Sequence, residues 1–137
     1  MNSLPGRARE VTHRHSRQSP GLARRLLASL LAEVEGGHRF LDTGLLLVSE
    51  LVTNAVVHGT PREHLVWLSL DVNEYRLRIE VHDARADREP VLRAVLGDDE
   101  SGRGLFLVKL LSQRWGCCPR SHVGKIVWSE AGPAVAS

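Results

Sequence analysis

LLLVSELVTNAVVHG, residues 45–59, is an almost wholly apolar segment that carries a few polar residues at helical spacing. Glu50, Asn54 and His58 fall at positions i, i+4 and i+8, so they lie on one stripe of a predicted helix. Burying a polar group without a hydrogen-bond partner costs about 2–7 kcal/mol. The stripe therefore predicts a pocket beside the helix. The alternative is a buried polar cluster that only fixes helix packing.

The composition is that of one soluble globular domain. The chain has 137 residues, of which 42% are hydrophobic and 25% are charged. The net charge of +2 is too balanced to indicate a nucleic-acid partner. No apolar run is long enough to span a membrane, and no apolar segment follows the charged N-terminus as in a secretory signal. We therefore expect a cytosolic protein without a direct membrane or nucleic-acid partner.

The segments around this helix alternate between helical and strand patterns. Ser19-Pro20 begins an earlier helix, Gly36-Gly37 ends it, and Asp42 is the expected N-cap of the helix that runs to Gly59. Asn73-Glu74 is a turn between two strands. The predicted elements are helices over 19–36, 42–59 and 102–112, and strands over 64–72, 75–82, 115–119 and 125–130.

This order predicts an α+β two-layer sandwich, in which a mostly antiparallel sheet carries helices on one face. Residues 1–18 form a basic N-terminal arm with a weak edge-strand pattern over residues 9–15. Residues 19–131 form a single domain, and residues 132–137 a loose tail.

The two cysteines, Cys117 and Cys118, are adjacent, which excludes a disulfide framework. We expect one small buried thiol and one partly exposed thiol. No second pair of ligands stands at zinc-binding spacing, so a metal–thiolate site is not expected.

Three residues carry oxygen atoms that suit a bound nucleotide and its metal ion. The amide oxygen of Asn54 is a ligand type that Mg²⁺ accepts, and Glu50 one turn away can bind a metal-bound water or accept a proton. Asp83 ends the strand IEVHD, where a carboxylate can accept a hydrogen bond from an exocyclic amine such as that of adenine. A turn-initiating aspartate is the alternative at this place.

A helix start at ESGRGL, residues 100–105, could hold phosphate. Gly102 and Gly104 allow close approach of the backbone, and the first N–H groups of a helix point at an anion. Arg103 or Lys109 could add positive charge. The alternative is an ordinary helix start with glycines in the preceding loop.

Together these motifs resemble the GHKL ATPase superfamily, whose members use the Bergerat ATP-binding fold. The chain looks most like the small stand-alone anti-sigma-factor serine kinases of that superfamily. SELVTNAVVHG is similar to their N-box, VHD to the start of their G1 box, SGRGLFLVKLLSQRWG to their G2 box, and GKIVWSE to their closing strand. The resemblance covers the chain from about Ser19 to Glu130.

The resemblance implies a site for ATP and Mg²⁺. It assigns Glu50 as the catalytic base, Asn54 as the Mg²⁺ ligand and Asp83 as the adenine acceptor. It assigns the helix start with Gly102, Arg103, Gly104 and Leu105 to the phosphates. His58 either lines the phosphate end of the pocket or caps the carbonyl groups of its own helix.

The implied function is regulation of transcription by an anti-sigma factor. Such a protein transfers the γ-phosphoryl group of ATP to a serine or threonine of an antagonist, an anti-anti-sigma protein, and sequesters a sigma factor. Members of this branch also often form homodimers.

One departure from the superfamily pattern supports an alternative. Asp83 is followed by Ala84-Arg85-Ala86-Asp87 instead of glycines, and the segment up to Glu100 is short for a lid. This predicts a looser approach of the loop to a nucleotide. The alternative is thus a partner-binding module with the same fold, no catalysis, and weak or no ATP binding. A detached histidine-kinase catalytic domain is disfavoured, because no helix pair with a phospho-accepting histidine is present.

Overall fold

A computed structural model describes residues 7–14, 19–55, 65–83, 100–119 and 124–135. A short 3₁₀ helix, Gly37–Phe40, precedes the second α-helix. The helices are α1 (Ser19–Ala32), α2 (Leu41–Asn54) and α3 (Glu100–Leu111). The strands are β1 (Arg7–Arg14), β2 (Leu65–Val72), β3 (Leu77–Asp83), β4 (Arg114–Pro119) and β5 (Lys125–Ala131).

The described strands form one five-stranded sheet in the order β1-β2-β3-β5-β4. All four neighbouring pairs are antiparallel. After β3 the chain forms α3 and then β4, which lies at an edge of the sheet. The last strand, β5, lies between β3 and β4 and is therefore internal. The predicted α+β sandwich is confirmed.

The core lies between the sheet and the helices. In α1, Ala23, Leu27 and Leu31 recur at helical spacing and are almost fully buried. In β3, the alternating residues Leu77, Ile79 and Val81 are at most 1% exposed, as the period-2 pattern of a half-buried strand predicts. Contacts of α1 with β2, and of α2 with β3 and β5, close this layer.

The other face of the sheet carries a charged network around Glu130. This carboxylate is buried, accepts a hydrogen bond from Arg78 at 2.6 Å, and lies 3.3 Å from Nε of Arg114. The guanidinium of Arg78 also stacks 4.5 Å from the centroid of the Trp128 ring. Ionic and aromatic contacts along the strands thus stabilise this face.

Glu80, on the same face, makes folding stability depend on pH. Burial opposes its ionisation, but hydrogen bonds with Arg78 at 2.7 Å and His82 at 2.9 Å outweigh burial, so the pKa of Glu80 lies below its usual 4.5. A lowered pKa stabilises the fold above pH 4.5, and this contribution is lost as the pH falls through the folded-state pKa. Because the group is partly exposed, we expect Glu80→Gln to cost less than about 1 kcal/mol at pH 7 and nothing near pH 2. Urea unfolding of both proteins at the two pH values measures this difference, and an equal cost at both would contradict it.

Several predicted details differ in the structure, and α1 ends at Ala32 rather than at Gly36. Asp42 lies inside the first turn of α2 and not at its N-cap, which is Phe40, because the 3₁₀ helix leads directly into α2. Tyr75 is 68% exposed and belongs to the turn before β3, since Oδ1 of Asn73 accepts hydrogen bonds from the N–H groups of residues 75 and 76 and extends the turn. Cys117 and Cys118 are both exposed, because β4 is an edge strand.

Both ends of the chain have described contacts. Strand β1 pairs with β2 at one edge of the sheet. Near the C-terminus, the N–H of Ala134 donates to the carbonyl oxygen of Arg39 at 2.8 Å, which holds this part of the tail against the 3₁₀ helix. The division into arm, domain and tail stays a prediction. None of the helices in the described ranges is long and apolar enough to cross a bilayer.

Two glycines offer a matched pair of stability tests. A Cβ at the buried Gly37 would overlap the backbone carbonyl oxygen of Leu31, which cannot move without disrupting the end of α1. We expect Gly37→Ala to lower the free energy of unfolding by about 3 kcal/mol. At Gly21, in α1, an added Cβ would have no atom within 4 Å, so Gly21→Ala should stabilise by up to about 1 kcal/mol. Chemical denaturation measures both, and equal effects would contradict the packing at Gly37.

Candidate functional site

The polar stripe of α2 ends at the buried side chain of Asn54. Glu50 is half-buried, and Asn54, one turn later, is 6% exposed. Helix α2 is described up to Asn54, and the N–H of Ala55 still donates to the carbonyl oxygens of Leu51 and Val52. The predicted continuation of the helix to Gly59, with His58, lies outside the described residues. Glu50 and Asn54 are therefore adjacent on one face, as the sequence predicted.

Asn54 also carries an unsatisfied buried oxygen. Its Oδ1 has no hydrogen-bond partner among the residues that the structure describes. Such an atom costs about 1–3 kcal/mol and is rare in folded proteins. An amide oxygen that points to no described protein donor fits a hard cation such as Mg²⁺, which binds few protein oxygens and completes its shell with waters and phosphates. The buried amide oxygen of Asn54 thus fits the Mg²⁺ ion that the family resemblance implies.

The direction of α2 relative to β3 follows from one contact. A Cβ at Gly44 would be 2.9 Å from Cδ2 of Leu77, so the first part of α2 lies against the first residue of β3. The helix contacts both β3 and β5, and Asn54 lies about 15 Å further along it. Its C-terminal end therefore projects toward the end of β3, where Asp83 is the last residue. The last residues of α2 and of β3 therefore lie toward the same end of the sheet.

The orientation of α3 brings its N-terminus to the same end. Beyond its last turn, the N–H of Gln113 donates to the carbonyl oxygen of Glu130 at 2.7 Å, and Ser112 Oγ lies 2.6 Å from Ser129 Oγ. In the sheet register, Ser129 and Glu130 stand beside the first residues of β3, so α3 ends at the opposite end from Asp83. Because α3 packs against α2 and spans about 17 Å, it begins near the end where α2 finishes.

The predicted phosphate-binding residues belong to this first part of α3. Gly102, Arg103, Gly104 and Leu105 follow Glu100, the first residue of the helix. The backbone N–H groups of a first turn lack helical partners and attract anions. Lys109, in contrast, lies in the last turn and is exposed, so it is too far along the helix to serve that anion.

The sequence did not predict a buried cation at this end of the sheet. Lys125, the first residue of β5, is 5% exposed, and it pairs directly across the sheet with Asp83. The glycine-lysine pair before an alternating strand is a weak signal, because nothing local shows that the lysine is buried. Strand register alone brings it to the site.

The residues that the sequence predicted for nucleotide binding come to one end of the sheet. Asp83 is the last residue of β3, Asn54 is the last residue of α2, and α3 begins at Glu100. Glu50 lies one turn before Asn54 on α2. No cluster of three or more His, Cys, Asp or Glu side chains that could hold a metal occurs within the described ranges.

Comparison with known proteins agrees with this arrangement. A family model described as histidine kinase-like ATPase domain matches residues 15–128, which is most of the chain. No curated protein matches.

Proposed function

Because the chain belongs to the histidine kinase-like ATPase domain family of the GHKL superfamily, we propose that it is an ATP-dependent regulator of the anti-sigma-factor type. It binds ATP with Mg²⁺ and transfers the γ-phosphoryl group to a serine or threonine of an antagonist protein. The observation that carries the proposal is the buried Oδ1 of Asn54, which has no described partner and lies one helical turn from the Glu50 carboxylate. A fold built only for packing would bury a satisfied or apolar side chain there.

Each part of the site has a separate role in this reaction. Asn54 would hold Mg²⁺, which neutralises charge on the phosphates when bound. Asp83 accepts a hydrogen bond from the adenine amine, and the first turn of α3 holds phosphate oxygens through its N–H groups. These groups align the γ-phosphorus with the attacking hydroxyl, and alignment supplies most of the catalysis in phosphoryl transfer.

The role of Glu50 concerns the proton of the attacking hydroxyl group. The serine hydroxyl oxygen forms a bond to the γ-phosphorus, the bond from that phosphorus to the β–γ bridging oxygen breaks, and ADP leaves. The hydroxyl proton passes to the Glu50 carboxylate, which acts as general base or orients the hydroxyl. The half-buried position of Glu50 supports this role, because the carboxylate remains accessible to a partner's side chain.

A protein partner is supported by exposed apolar side chains on α3. Phe106 and Leu110 are 53% and 62% exposed and stand at i and i+4 on one face of the helix. Neighbouring exposed apolar residues often mark a protein contact. In the proposed cycle, the protein sequesters a sigma factor until unphosphorylated antagonist displaces it, and a homodimer is the expected form.

The second candidate function is a binding module without catalysis. The glycine-poor sequence of residues 84–87 favours it, because side chains there limit how closely a loop can approach a nucleotide. In this case regulation would work by sequestration alone.

Calorimetric titration of the full chain with ATP, with and without Mg²⁺, tests the proposal first. Absence of binding at millimolar ATP with Mg²⁺ would reject ATP binding. Proteins captured by the chain with and without ATP then provide candidate antagonists, which are incubated with γ-labelled ATP. Label on a serine or threonine of a captured protein supports the kinase, while ATP binding with no transfer to any captured protein supports the second candidate.

A further inference from the structure

Lys125 is a buried cation at the nucleotide end of the sheet. It is 5% exposed, and its neighbours at alternate positions of β5, Val127 and Ser129, face the helix-covered core. Removing an ammonium group from water is costly unless an anion compensates it. The position therefore requires a carboxylate or phosphate partner close by.

Strand register places an acidic residue directly across from Lys125. Asp83 and Lys125 are the last pair of the β3–β5 ladder, and residues in direct register have Cβ atoms about 4.5–5.5 Å apart. The neighbours of Asp83 and Lys125 on the outer strands are Val66 and Pro119, neither of which is charged. From the helices, Glu50 is the acid one turn before the C-terminal residue of α2. The direct cross-strand relation favours Asp83 over Glu50.

The residue type also indicates a specific role. The chain has only 2 lysines, against 16 arginines, and the exposed Lys109 is the other one. An ammonium group is a compact point charge, whereas a guanidinium needs room for a planar fork. A lysine thus fits beside a single carboxylate on a buried strand.

We propose that Lys125 is a positioning residue for base recognition, which holds the Asp83 carboxylate where it accepts a hydrogen bond from the exocyclic amine of a purine. The inference rests on the proposed ATP-binding function and adds the residue that sets its base selectivity. Lys125 acts through Asp83 and does not itself touch the base.

The test compares ATP with purine riboside 5′-triphosphate, which has the same ring and phosphates but no exocyclic amine. Because a hydrogen bond to a charged acceptor is lost with the analogue, the wild-type chain should bind ATP about tenfold or more tightly than the analogue. Lys125→Met should reduce this ratio to within about threefold of unity, through weaker ATP binding, while the affinity for the analogue changes little. Lys125→Arg should restore part of the ratio.

Four further variants keep the test decisive. Lys109→Met, the matched removal of the other lysine, should leave the ratio unchanged. Asp83→Asn should reduce the ratio as Lys125→Met does, and the double variant should show no further loss. If Lys125→Met does not fold, Lys125→Gln carries the same expectation. Circular dichroism and urea unfolding report whether each variant keeps the native fold.

The outcomes separate the two proposals. A wild-type chain that binds neither nucleotide overturns the proposed function and this inference with it. A wild-type chain that prefers ATP, with the ratio unchanged in Lys125→Met, overturns the inference alone. If Lys125→Met weakens the binding of ATP and of the analogue equally, the lysine contacts phosphate. If Lys125→Met loses phosphoryl transfer while the ratio of the two affinities is unchanged, the lysine pairs with Glu50. Either result overturns the inference.

Discussion

Asn54→Leu is expected to abolish the Mg²⁺-dependent part of ATP binding while raising the stability of the protein. The side chain is 6% exposed, and its Oδ1 has no partner among the described residues. Leucine has a similar shape and removes the unsatisfied oxygen, so the free energy of unfolding should rise by about 1 kcal/mol. Loss of the metal ligand should reduce Mg²⁺-dependent phosphoryl transfer by about 100-fold or more.

Calorimetry with and without Mg²⁺ and urea denaturation without nucleotide measure the two effects. Thr53→Ala is the matched control, because this neighbour is half-buried on the same helix and should leave Mg²⁺-dependent binding unchanged. A leucine variant that binds ATP with the same Mg²⁺ dependence as the wild type would contradict the assignment of Asn54. A gain in stability without any change in Mg²⁺-dependent ATP binding would indicate that the unsatisfied oxygen of Asn54 has no function.

Glu50→Gln is expected to eliminate phosphoryl transfer while ATP binding persists. Glutamine keeps the size of the side chain but cannot accept the proton of the attacking hydroxyl, so the transfer rate should fall by about 100- to 10,000-fold. The dissociation constant for ATP with Mg²⁺ should change by less than about threefold, because the carboxylate acts on the hydroxyl and not on the nucleotide. Single-turnover transfer from γ-labelled ATP measures the rate, and calorimetry measures the binding.

Asp42→Asn is the matched control for this variant. Asp42 is an exposed acid in the first turn of the same helix, at the end away from the site. Its removal should cost about 0.3–1 kcal/mol through the helix dipole and leave the transfer rate unchanged. Transfer by Glu50→Gln at the wild-type rate would exclude Glu50 as the base. Loss of ATP binding together with transfer would show that the residue maintains the pocket.

The sequence predicted the elements with local periodicity well. Leu77, Ile79 and Val81 alternate with polar residues, and the structure buries them as one face of a strand. Most of the errors lie at element boundaries. Tyr75 continues the alternating pattern of the strand, yet the side chain of Asn73 bonds the backbone and keeps Tyr75 in the turn. The hydrogen bonds from the Asn73 side chain compete with those of the strand, and the hydrophobic pattern alone does not show which set forms.

The sequence predicted only part of the candidate site, because it shows which residues are close along one helix but not which strands lie side by side. Glu50 and Asn54 are one helical turn apart in the sequence, so their proximity follows from helix geometry alone. Lys125 stands 42 positions after Asp83 in the chain, and only the β3–β5 register brings the two together. Glu130 is a second example, because the arginines that bind it come from β3 and β4 and stand far from it in the chain.

The sequence by itself determined the α+β order of elements, the buried face of β3 and the polar stripe of Glu50 and Asn54. Each of these depends on spacing within one segment, which the 3.6-residue and 2-residue periods translate directly into a face. Only the tertiary structure decided that Asn54 Oδ1 is buried without a described partner and that Lys125 is buried beside the strand position of Asp83. Burial and cross-strand register arise from contacts between distant segments, and no local pattern encodes them.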